Sequence, residues 1–156
     1  MLARPLKDYA LVAEIIGAAA VVVSLIYVGL SVNQNTNAIM VANHQALIAM
    51  DQDTNVWLRD PAFTAIFETA IENFDQLSPI QARQYRTFMA DKFNAWEFAF
   101  ITHNNQMMED NIWIGWDRYY RWLLKLKGNQ LWWNDEKEGY SPAFVSYVDA
   151  VLAETE

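Results

Sequence analysis

Cysteine is absent from the 156 residues. That removes disulfides, thiolate metal sites and a cysteine nucleophile together. Glycine (5) and proline (4) are scarce, which excludes a collagen, a turn-rich all-β fold or a disordered linker. Histidine occurs only at 44 and 103, and 11 basic residues face 19 acidic ones, a net charge of −8. A nucleic-acid partner is therefore not expected, since the basic patch such binding needs is missing. What the chain has in plenty is apolar: 53% of it is hydrophobic, including 8 Phe, 7 Trp and 7 Tyr. The length suits one domain.

The charge divides the chain. Residues 1–32 carry Arg4 and Lys7 against Asp8 and Glu14; residues 33–156 hold the other 9 basic and 17 acidic residues, the whole of the −8. From Ile15 to Val32 the sequence IIGAAAVVVSLIYVGLSV runs 18 residues without a charge. A bilayer core takes roughly 20 apolar residues as a helix, so this segment is expected to be a transmembrane anchor. A buried core helix and a cleaved signal peptide are the alternatives. Against the second, no small-residue cleavage site follows the run; NQNTN does. Arg4 and Lys7 precede the span, and the next basic residue is Arg59. Positive charge marks the cytoplasmic side, which puts the N-terminus in the cytoplasm and the acidic body outside. Ala13, Gly17, Ala20, Ser24, Tyr27 and Ser31 fall at helical 3/4 spacing. Small residues so placed let a second transmembrane helix approach closely, and they form the expected helix-packing interface.

Beyond the anchor the expected organisation is a helical stalk over 33–58 and an acidic, aromatic-rich helical domain over 59–156. Asp60-Pro61, Ser78-Pro79 and Ser141-Pro142 each place a capping residue before a proline at the first helical position. They predict helices over about 61–74, 79–104 and 142–153. On the second, Ala82, Tyr85, Met89, Phe93, Trp96, Phe100 and His103 make one stripe at 3/4 spacing, a core-facing pattern. A further helix is expected from Glu109 to Lys127, ended by Gly128 as C-cap. Its apolar arc is wide enough to require packing on two sides or an outside contact, and Trp113, Tyr120 and Trp122 are the expected partner-facing aromatics. Leu131-Trp132-Trp133 and NDEKEG read as an ordered loop. No strand alternation appears, so the fold class is all-α: an N-terminal transmembrane helix and stalk, then a small helical bundle.

The segment AEIIGAAAVVVSLIYVGLSVNQNT (13–36) and the later WW…YSPAFVSYVD (132–149) resemble the two ends of a group of small bacterial membrane proteins of unknown function. The resemblance implies a single-pass protein of a bacterial cell membrane with a helical soluble part. It carries no catalytic residues over.

Chemistry is hard to find in the motifs. A di-iron bundle needs Glu-x-x-His pairs, but Val41 and Phe100 stand three before the two histidines. No Gly-x-Ser-x-Gly, phosphate loop or Walker lysine occurs, and Asp51-Gln52-Asp53 does not complete a calcium loop. No cofactor is expected. The function expected is a non-catalytic, membrane-anchored accessory subunit or scaffold, meeting lipid and either other transmembrane subunits or copies of itself. The alternative is a tethered sensor or carrier holding a small apolar ligand in the bundle; a catalytic site assembled from distant residues is the third reading.

Overall fold

The structure, a computed structural model, describes the backbone of residues 3–154 and the side chains of residues 9–154. Arg4 and Lys7, on which the expected orientation rests, lie outside the residues whose side chains are described. Among the described residues there are six α-helices and no strand: α1 (Ala3–Asn55), α2 (Pro61–Asn73), α3 (Pro79–Asn104), α4 (Asp110–Leu124), α5 (Lys127–Glu136) and α6 (Pro142–Ala153). Short 3-10 turns lie at Trp57–Arg59, Phe74–Gln76 and Lys137–Gly139. The chain divides into two compact units, Met1–Ile39 and Met40–Glu156.

The described part of the first unit is helical, and its described apolar side chains are exposed. Every described residue from Tyr9 to Leu30 is exposed. Among the described residues, α1 is the one helix long and apolar enough to cross a membrane.

The second unit begins inside the segment expected as stalk. Leu47 on α1 is 0% exposed and belongs to the core, so the last turns of α1 are the body's first helix. The three proline starts are where the sequence places them. Asp60 accepts a hydrogen bond from the Ala62 amide at 2.9 Å, and Ser78 and Gln81 form a reciprocal capping box. Ser141 works differently: its side chain caps nothing, and its amide donates to Glu97 Oε1 on α3 at 2.8 Å. α3 stops at Asn105 in a Schellman turn, with the Met107 amide bonded to the Thr102 carbonyl (2.8 Å) and Gln106 in the left-handed region at φ 59.

Two expectations fail together after α4. Gly128 does not cap it; α4 stops at Leu124, Leu126 is extended, and α5 starts at Lys127. The segment expected as a loop, Leu131-Trp132-Trp133, is therefore helical. Gly128 is small for a tertiary reason: a Cβ there would lie 2.0 Å from the Ala70 carbonyl oxygen of α2. The glycine lets two helices touch backbone to backbone.

The core is aromatic. Phe93 lies 5.5, 4.8 and 5.2 Å from the rings of Trp96, Trp132 and Trp133, and Trp96 meets Phe144 edge-on at 5.5 Å. Such pairs add roughly 0.5–1.5 kcal/mol each beyond the area they bury. Wholly buried Asn129 accepts from the Tyr85 hydroxyl and donates to the Leu123 carbonyl at 2.7 Å, supplementing the longer bond that this carbonyl takes from the Leu126 amide at 3.3 Å where α4 ends.

Candidate functional site

The arrangement with most chemical potential in the body lies between the last turns of α1 and one face of α4. On α1, His44, Asp51 and Asn55 follow at intervals of seven and four, which stacks them on one side of a helix. On α4, Asn111, Ile112, Gly115, Trp116 and Tyr119 repeat at 3/4 spacing and do the same. Together they line a cleft of about 440 Å³.

Behind the cleft, α3 contributes Lys92, whose side chain is 1% exposed. Its Nζ donates to Asp51 Oδ1 at 2.6 Å and to Asn55 Oδ1 at 2.7 Å. Asn55 Nδ2 in turn donates to Asp51 Oδ2 at 2.7 Å. The ammonium also sits 5.6 Å from the Tyr119 ring centre and 5.7 Å from that of Phe88, within cation–π range. Burial depresses the Lys92 pKa below its ordinary value, although the hydrogen bond and charge of Asp51 pull the other way. Burial, aided by the charge of Asp51, pushes the Tyr119 phenol up to about 12. The trio Lys92–Asp51–Asn55 is a closed, charge-balanced knot. Lys92 is too enclosed for a substrate to reach, so its amine is not available as a nucleophile, while Asp51 and Asn55, which line the cleft, can hold and orient a bound molecule.

A second groove, of about 550 Å³, runs between α4 and α6. Its floor is Asp117, which accepts from Trp96 Nε1 (3.2 Å), Arg121 Nε (2.6 Å) and the Tyr147 hydroxyl. Arg121 continues to Glu154 at 2.8 Å. Asp117 and Arg121 thereby tie α4 to α3 and α6.

The residues singled out from sequence scatter. Ala13, Gly17, Ala20, Ser24 and Tyr27 are exposed and Ser31 half-buried along α1, and a Cβ at Gly17 would meet nothing within 4 Å. Of the three partner-facing aromatics, Tyr120 is a correction: it is 0% exposed and stacks on Trp96 at 5.5 Å. The wide arc of α4 is packed on two sides, and Tyr120 lies on the inner one. Trp113 is half-buried and stacks on His103 at 4.9 Å, while the His103 Nε2 lies 3.1 Å from Asp110 Oδ1. Only Trp122 faces outward, 57% exposed. Sequence reasoning missed Lys92, Asp51 and Asn55 as a group. The signal was there: Lys92 stands three after Met89 and four before Trp96, inside the apolar stripe. Among the described residues no three acidic or histidine side chains gather as a metal site would require.

Comparison with known proteins yields no matching family model, no matching curated protein and no matching solved structure.

Proposed function

We propose that the protein is a non-catalytic accessory subunit or scaffold, held in a bacterial cell membrane by the N-terminal part of α1, with its N-terminus cytoplasmic and its acidic body outside. One observation carries the reading. Fourteen large apolar side chains between Tyr9 and Val32 are each more than half exposed. Removing each from water contributes about 1.5–3 kcal/mol, so leaving all of them wet forfeits on the order of 20 kcal/mol. A bilayer removes that penalty, and a body whose own core is already filled needs no such helix for its folding. The Ala13–Gly17–Ala20–Ser24 face of the same helix supports association with another transmembrane helix.

The test is extraction of the tagged protein from its native membrane in mild detergent, followed by its mass and composition. Migration with other membrane proteins at fixed stoichiometry is the expected result; a lone monomer would sink the scaffold reading. Because the chain has no cysteine, a single one introduced near residue 2 or residue 138 reports sidedness without background labelling. Labelling of the body from the cytoplasmic side would overturn the orientation.

A further inference from the structure

We propose that the cleft between α1 and α4 binds a small, flat, uncharged ring compound that both donates and accepts a hydrogen bond. The proposal does not depend on what the anchor associates with. Its volume, about 440 Å³, lies within the range of small-molecule sites, roughly 300–1,000 Å³.

The flatness follows from the rings. Trp96, Tyr120 and Trp116 form a stacked column, with centres 5.5 and 6.1 Å apart and planes tilted by 16° and 24°. The column starts in the core at wholly buried Trp96 and ends at half-buried Trp116, which lines the cleft. A planar ligand adds one more member to that stack. Beside it Gly115 is exposed, and a Cβ there would meet nothing within 4 Å. No packing demand explains a glycine in mid-helix, where it costs about 0.5–1 kcal/mol relative to alanine. Its absent side chain leaves the wall of the cleft open to a flat molecule.

The charge class follows from the knot at the base. Asp51 is already balanced by Lys92 at 2.6 Å, so an ionic ligand finds no unpaired charge there to offset its own desolvation. A neutral molecule does not meet that cost. The hydrogen-bonding pattern follows from the free valences. Each Asp51 oxygen takes one hydrogen bond within the protein and retains capacity to accept another. The Asn111 side-chain oxygen Oδ1 accepts from the Ile112 amide at 2.8 Å, which leaves the side-chain NH2 to donate. A ligand that carries one donor and one acceptor, as a primary aromatic amide does, offers a partner to each.

Benzamide, benzylammonium and benzoate share one ring and differ in charge, and they make the probes. Titrated into the full chain in detergent, benzamide is expected to move the Trp116 indole N–H resonance saturably, the two ions binding about tenfold more weakly or worse. Gly115→Leu fills the cleft and is expected to abolish the response, while Ile80→Ala, at the exposed start of α3, leaves it unchanged. Partition into the micelle is the same for all variants and cancels. Should Gly115→Leu fail to fold, Asn111→Ala carries the test, with about a tenfold loss expected. The proposal is overturned if benzamide gives no saturable shift, if either ion binds as well, or if the folded Gly115→Leu or Asn111→Ala protein binds undiminished.

Discussion

At the scale of single residues, Lys92 decides most. A lysine at 1% exposure needs its partners, and breaking a buried ion pair from one side costs about 3–5 kcal/mol, whereas replacing both members by apolar groups is often neutral. The two sides are unequal here, because the Asp51 side chain keeps 15% exposure and Lys92 almost none. Asp51→Leu is therefore expected to lose about 3–5 kcal/mol in a denaturant melt, Lys92→Met less, and the double variant to recover most of the loss. Additive losses in the double variant would mean that the pair is not a unit. The same residue marks a limit of sequence reading. The α3 stripe was legible as an apolar periodicity, and a periodicity counted only over apolar residues passes over the lysine in the middle of it. Tyr120 failed for a related reason: an arc wider than one stripe says that a helix has two packed sides, not which residue faces which.

At the scale of elements, what was legible was local. Asp60-Pro61, Ser78-Pro79 and Ser141-Pro142 located α2, α3 and α6 to within a residue or so, because a cap and a proline act on the turn that contains them. The α4–α5 boundary was not legible, since it depends on Gly128 meeting Ala70, 58 positions earlier. That contact carries its own prediction. Gly128→Ala puts a carbon 2.0 Å from a carbonyl oxygen that cannot swing away, so α2 and α5 must separate. The expected loss is about 1–3 kcal/mol or more, the usual penalty of overpacking. An unchanged thermal midpoint would mean that the two helices slide freely. On α1 the expectation is the reverse. Gly17→Leu and Ala20→Leu are expected to leave the melt of the body unchanged while reducing the size of the detergent-extracted complex. Complexes of unchanged size in both variants would remove the small-residue face from the account.

For the molecule as a whole, the buried phenols set an upper pH limit. Tyr85, Tyr119, Tyr120, Tyr140 and Tyr147 are all held above the ordinary value of 10.0, in each case chiefly by burial. Each is thus more protonated folded than unfolded. Their contribution is complete below pH 10 and is lost as pH rises through the folded-state values, with Tyr119 at about 12. Helicity by circular dichroism is expected to hold to about pH 10 and then fall in step with phenolate absorbance. Full phenolate absorbance at about pH 10.5 with helicity intact would contradict the burial of these rings.

The core also has a consequence for synthesis. Leu47 and Val148 are both 0% exposed in one cluster, about a hundred positions apart. A ribosome adding roughly 5–20 residues per second delivers the second some 5–20 seconds after the first. From their own synthesis until the end of that interval, Phe93, Trp96 and Trp133 have no finished core to enter. The nascent body must be shielded until α6 emerges, and a message cut short before Phe144 yields a product with no folded state to shelter it from proteases.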